Sequence, residues 1–344
     1  MVTIGVDSHK ASLAACAIDD AGRVLGERSF PNSRSGHRRF VAWMDEVGPR
    51  RRIGIEGAGN FGAALARALV SSGEVVLEVP SVLTARERRR VRRPGKSDPK
   101  DALAIARIVL RERTLPPVNT VQLSTDLKAL VDYREQHVHE RTRVANRVHA
   151  DLQILCPGKH VGPLNSAVGL RRAQQVLEQS VGVRSELGLA RIKRLHEIDA
   201  EIASLARRIA GAVKDVDTRL VGIPGVGSLT AAKLIAEVGD ISRFATKSAF
   251  AMACGTAPIP ACSGNTVRHR LNRGGNRQLN RALHVVAFVQ ARSHPPAVAY
   301  IQRKRGEGKS RTEALRCLKR HLANVIYTTM IAEREGRWAQ ALDT

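Results

Sequence analysis

Aromatic residues make up only 3% of this 344-residue chain. Platforms on which single-stranded bases stack are therefore scarce. The five cysteines (Cys16, Cys156, Cys254, Cys262, Cys317) are odd in number and widely scattered. They show neither zinc-ligand nor disulfide spacing, which fits a reducing compartment. No run of about 18 apolar residues and no amphipathic anchor occurs, so a membrane-embedded class finds no support. Asp7 arrives before a signal-peptide core could form, which predicts a cytoplasmic protein. Acidic residues are also in short supply, with 32 Asp and Glu against 56 Lys and Arg, a formal net charge of +24. Such an excess predicts a polyanionic partner. The apolar fraction of 43% is enough for the cores of two or three domains.

Four of the few acidic residues are placed conspicuously. Asp7 and Glu56 each end an apolar strand-like run, in VTIGVDS and RIGIEGAG. Asp98 and Asp101 follow the most basic stretch of the chain, ARERRRVRRPGK. Each has a structural explanation. Asp98-Pro99-Lys100-Asp101 is a good helix start, with an N-cap Asp, Pro at the first helical position and a further acid. Asp7 suits a turn at a strand end, and Glu56 an exposed strand terminus. Taken together they suggest another role. Hard oxygen ligands suit magnesium or manganese, and paired ions promote phosphodiester chemistry. Adjacent strand ends lie about 5 Å apart, and residues i and i+3 share a helix face. The four carboxylates can therefore meet at one sheet edge.

The surrounding pattern predicts three strands over residues 2–30, then a helix in SRSGHRRFVAWMDEV, the strand RIGIEG, a helix ending at Gly73 and the strand VVLEVP. That is a mixed sheet covered by helices. A basic helix is expected from Ser81 to Arg93, broken at Pro94-Gly95, and another from about Pro99 to Arg113. LPPVNT (115–120) reads as a linker. Residues 124–155 and 183–215 read as two long helices joined by a loop containing GKHVGPLNSAVGL. Leu195, Ile198, Ile202, Leu205 and Ile209 mark one apolar face of the second. An antiparallel hairpin or coiled coil follows, either a spacer or a dimerisation arm. GIPGVG (222–227) is a glycine turn between helical segments. CGTAPIPACSGNTVRHRLNRGGNRQLN is a long loop opening into a helix, and two helices split near Gly306-Glu307-Gly308 close the chain.

Basic residues cluster twice more, as Arg86, Arg88, Arg89, Arg90, Arg92, Arg93 and Lys96, and as Arg268, Arg270, Arg273 and Arg277. Such sets bind phosphate, contacts that position a nucleic acid rather than read it. The glycine turn, through Gly225 and Gly227, suits backbone N–H contacts to phosphate. Ser263-Gly264 by itself reads as a turn.

GVDSHK around Asp7, GIEGAGNFG around Glu56 and KSDPKDA around Asp98 and Asp101 resemble the DEDD motif of a bacterial insertion-sequence transposase family, one that includes the Piv pilin-gene invertases and the bridge-RNA-guided recombinases. The C-terminal signature also matches, with Gly255, Pro258, Ser263-Gly264 and Gly275-Asn276-Arg277. The resemblance spans nearly the whole chain. It implies an α/β, RuvC-like (RNase H-type) domain over residues 1–115 with Asp7, Glu56, Asp98 and Asp101 as ligands of Mg2+ or Mn2+. It implies a helical coiled-coil region over 121–215. Over 216–335 it implies an all-α transposase domain with a helix-hairpin-helix and with Ser263 as the nucleophile that attacks a DNA phosphate. It further implies donor and target double-stranded DNA, a bridge RNA that chooses sites, a dimer forming a tetramer on DNA, and a place at the nucleoid. A Holliday-junction-type nuclease, with the same carboxylates and water as nucleophile, and a Piv-like invertase are the alternatives.

Overall fold

Continuous burial on both faces marks the central strands of the N-terminal sheet in this computed structural model, which describes residues 1–90, 98–260, 269–270, 272 and 274–342, with the backbone alone at 88–90, 98, 260, 269–270 and 337–342. Strands β1 (Val2–Ser8), β2 (Ser12–Ile18), β3 (Val24–Pro31), β4 (Arg51–Glu56) and β5 (Val76–Val79) lie in the order β3-β2-β1-β4-β5. Strand β2 runs antiparallel to both β1 and β3, whereas β4 runs parallel to β1 and β5 parallel to β4. On β2, Leu13, Ala15 and Ala17 enter the core on one face, and Ala14, Cys16 and Ile18 enter the core on the other, as alternating side chains require. This is the mixed, helix-covered sheet expected from the sequence.

Helices α1 (Arg34–Val47) and α2 (Ala63–Ser71) cover the first face. Ser33 caps α1 by accepting the Gly36 N–H. Phe30, Phe40 and Trp43 pack there with ring centroids 5.4–5.9 Å apart, which places three of the chain's few aromatics in the core rather than on a base-stacking surface. After β5 come α3 (Ser81–Arg90) and α4 (Asp98–Arg111). Helix α4 covers the second face through Ala102, Ile105, Ala106, Ile108 and Val109. It lies close because Gly5 and Gly54 leave room. A Cβ on Gly5 would sit 2.2 Å from both Ala102 O and Ala106 N, and one on Gly54 2.1 Å from Val109 Cγ2. The linker expected at 115–120 runs along the outer edge of β5, where Leu77 bridges Pro117 and the Val118 N–H donates to Val76 O.

The chain separates into two compact units. One contains residues 123–218 and 227–236. Its long helices α5 (Gln122–Leu155) and α7 (Val183–Val216) flank α6 (Ala167–Glu178), and α8 (Ser228–Val238) follows. Val148, Leu152, Ala173, Leu177, Ile192, Leu195 and Ile198 form its core. Ion pairs Arg141–Asp199, Arg194–Glu140 and Arg184–Asp151 order α5 and α7 in opposite directions. Helix α6 begins at Ala167, inside the segment 158–170 for which the sequence predicts a loop. Ser166 accepts the Gly169 N–H to start it, and Leu170, Ala173, Val176 and Leu177 give a buried stripe hidden behind Gly and Pro in the preceding residues.

The other unit joins the sheet to residues 219–226 and 237–344. It holds α9 (Lys247–Ala253), β6 (Ile259–Pro260), β7 (His269–Arg270), α10 (Arg277–Ser293), α11 (Pro295–Gly306) and α12 (Arg311–Leu342). The antiparallel β6–β7 pair departs from the all-α expectation; two residues per strand are too few to leave a periodic signal. Arg243 joins this part to the sheet edge, donating to Pro117 O, Val238 O and, at 2.6 Å, Glu78 Oε2.

Candidate functional site

Asp7 and Glu56 are direct partners in the parallel β1–β4 register. Ile4, Val6, Ile53 and Ile55 enter the core beside α1 and α2, so alternation turns Asp7 and Glu56 to the face covered by α4. Gly5, two residues before Asp7, abuts the backbone of Ala102 and Ala106. Asp101, next to Ala102 in the first turn of α4, is buried, as is Asp7. Three of the four predicted carboxylates thus belong to one face at the C-terminal end of the parallel strands. Asp98 is the first residue of α4, its side chain outside the described set. Among the described residues, no group of three or more His, Cys, Asp or Glu is arranged to hold an ion. The donor chemistry nevertheless fits a hard divalent cation, because buried carboxylates supply oxygen ligands only.

The loops around this pair are braced. His9 Nε2 lies 3.1 Å from Asp7 Oδ2, a neighbour that lies within GVDSHK but carries no sequence signal of its own. Ser8 Oγ donates to Glu56 O at 2.6 Å. Asn32 Nδ2 donates to His9 O and to Phe61 O, both at 2.9 Å, tying the loop after Asp7 to the loop after Glu56. His37 Nε2 meets Asn32 Oδ1 at 2.9 Å, and burial pushes the His37 imidazole below its ordinary pKa.

In the glycine turn, Gly225 adopts a φ of +81° and lies against Val286 O and Val289. Gln290, itself buried, donates to Pro224 O at 2.6 Å. Nothing lies within 4 Å of a Cβ built on Gly222 or Gly227, so those two positions are open. Of the C-terminal signature, the ends of the loop are described. Gly255 and Gly275 meet backbone to backbone, and a Cβ on Gly275 would lie 2.1 Å from Gly255 N. Asn280 Nδ2 donates to Cys254 O and Gly255 O, while buried Lys319 donates to Asn280 Oδ1 at 2.6 Å. Asn276 caps α10, accepting from the Gln278 and Leu279 N–H groups. Arg277 is exposed at the first position of α10. Ser263, Arg92, Arg93, Lys96, Arg268 and Arg273 lie outside the described residues, and Arg88, Arg89, Arg90 and Arg270 are described by backbone alone.

Comparison with known proteins gives concordant matches. A DEDD transposase family model of the IS110 type matches residues 4–157, and a model described as the transposase IS116/IS110/IS902 family matches residues 217–302. Together they span more than two thirds of the chain. An insertion element IS900 42 kDa protein of Mycobacterium paratuberculosis is 25% identical, covering 96% of this chain and 95% of its own. An insertion element IS116 protein of Streptomyces clavuligerus is 24% identical over 97% and 95%. A pilin gene-inverting protein of Moraxella bovis is 22% identical over 96% of each. T. thermophilus RuvC in complex with Holliday junction substrate is similar at a TM-score of 0.28 and 18% identity, covering 34% of this chain and 99% of that one. With both halves of the signature matched in order, the chain belongs to the IS110/IS116-type transposase family, enzymes that cleave and rejoin DNA.

Proposed function

We propose that this chain moves a bacterial insertion sequence by metal-dependent strand cleavage and exchange between donor and target duplex DNA. The observation that carries the reading is the register pair Asp7–Glu56, turned toward the helix whose first turn holds buried Asp101. Asp7, Glu56, Asp98 and Asp101 would hold magnesium or manganese, whose chemistry when bound is Lewis-acid polarisation of a phosphoryl oxygen. Residues 1–115 form the RuvC-like catalytic domain in this reading, 121–215 the dimerisation region and 216–335 the transposase domain, its glycine turn acting as a helix-hairpin-helix. Ser263 is the nucleophile. Its Oγ forms a bond to phosphorus while one ester bond from phosphorus to a deoxyribose oxygen breaks, and the hydroxyl proton ends on that departing oxygen. The two ends of the segment that carries Ser263 are held together at Gly255 and Gly275. Gly225, Gly227, Arg268, Arg270, Arg273, Arg277 and the 88–96 cluster contact phosphate. A bridge RNA chooses the sites, consistent with few base-reading features, and the dimer becomes a tetramer on DNA at the nucleoid. The pilin gene-inverting relative supports DNA inversion as a second biological role for the same chemistry.

Trapping of a covalent serine–DNA adduct tests the mechanism. The adduct is expected with the native chain and absent in Ser263→Ala. Metal-dependent cleavage that leaves no adduct and is indifferent to Ser263→Ala would replace this reading with a Holliday-junction-type nuclease using water.

A further inference from the structure

A strongly charged surface lies outside both family matches, the second of which stops at residue 302. Residues 303–320 contain eight Lys and Arg against two Glu, a quarter of the net charge of +24 in 18 residues. They form the tip where α11 turns into α12. The two acids are engaged locally. Glu307 pairs with Lys304 at 2.7 Å, and Glu313 accepts from the Ser310 N–H and Oγ at 2.9 and 2.8 Å. Two of the cations are engaged by amides, buried Lys319 with Asn280 and Arg320 with Asn324 one turn along α12. The remaining five, Arg303, Arg305, Lys309, Arg311 and Arg316, are exposed. Among the described residues none of these five is ion-paired with a carboxylate.

The tip is ordered for contact. The Arg303 guanidinium lies 5.2 Å from the Tyr300 ring centroid and Lys304 Nζ 5.7 Å from it, and Tyr300 stacks on His321. Holding long cationic side chains on a ring reduces the entropy lost when they engage a partner. Gly306 and Gly308 have nothing within 4 Å of a Cβ position, and Gly308 adopts a φ of +83°. A partner can therefore approach the backbone of the turn closely. Tyr300 already packs against His321, so the surface offers charge rather than a free stacking face.

We propose that the α11–α12 tip is a docking surface for the phosphate backbone of duplex DNA, holding the flank of a site without reading its sequence. Duplex DNA is the partner that fits, because it carries about one charge per 1.7 Å of axis and rewards an array of unpaired cations. The proposal rests on the family's action on DNA and on neither Ser263 nor the carboxylates.

The test compares Arg305→Gln/Lys309→Gln/Arg311→Gln with the parent, both in the full-length chain carrying Asp7→Asn, by anisotropy titration of duplexes of unrelated sequence across a salt series. Each lost phosphate contact lowers the slope of log affinity against log salt by about 0.9, so the triple variant is expected to lose about 2.7, equally on every sequence. Lys309→Gln alone is expected to lose about 0.9 and guards against misfolding of the triple variant. An unchanged slope on duplex DNA overturns the proposal. So does a loss confined to structured RNA, which would make the tip an RNA surface. Absence of the adduct in Ser263→Ala leaves these slopes untouched, so the two readings fail separately.

Discussion

Asp7 is 7% exposed and Asp101 3% exposed, unusual for carboxylates in any fold. Removing an ionised carboxylate from water costs several kcal/mol unless hydrogen bonds or cations compensate it. His9 meets one oxygen of Asp7, and a divalent ion bound by these carboxylates would compensate more strongly. Asp7→Asn and Glu56→Gln preserve shape and remove that charge. Each is expected to lower the single-turnover cleavage rate by at least about a hundredfold, since metal polarisation contributes several kcal/mol, while leaving duplex affinity intact. Cleavage by Asp7→Asn at the parental rate would remove Asp7 from the metal site and overturn this reading of the carboxylates.

At the scale of the element, the decisive contact is α4 against the sheet. Of two small residues in register, Gly5 lets the helix backbone rest directly on β1, and Gly54 makes room on β4 for the Val109 side chain. That seating brings the first turn of α4, with Asp101, to the strand ends that carry Asp7 and Glu56. A methyl group at position 5 has nowhere to go, because what it would meet is backbone rather than a flexible side chain. Gly5→Ala is therefore expected to cost about 1–3 kcal/mol in denaturant unfolding, the usual cost of overpacking. It should also weaken Mn2+ binding followed by calorimetry, because the helix must lift. Unchanged stability and metal affinity in this variant would show that α4 is not seated as described.

The molecule as a whole is built from a helical unit and a unit that unites the sheet with the C-terminal segments. Arg243, inserted between Glu78, Pro117 and Val238, makes the second of these a single body. Exchanging strands between two duplexes requires several cuts, and one chain supplies one serine and one carboxylate set in the proposed reading. Sedimentation velocity is accordingly expected to show a dimer of the free protein and a tetramer with DNA. A monomer active at every concentration would contradict this.

The apolar runs of β1, β2 and β4, the charge excess and the helix start at Asp98-Pro99 were legible because each is a local pattern carried by neighbouring residues. The carboxylates were legible as candidates for the same reason, each at the end of a strand-like run or a helix start. Helix α6 was not, since Gly and Pro in the preceding stretch obscured its apolar stripe. His9 and Asn32 escaped notice because their roles come from contacts with Asp7 and with Phe61, 29 residues away from Asn32. The sequence by itself thus determined which residues carry charge and which segments form the strands of the N-terminal sheet and the long helices. Only the tertiary structure decided that Asp7 stands in register with Glu56 and that two glycines admit α4 above them, because register and close approach depend on residues far apart in sequence.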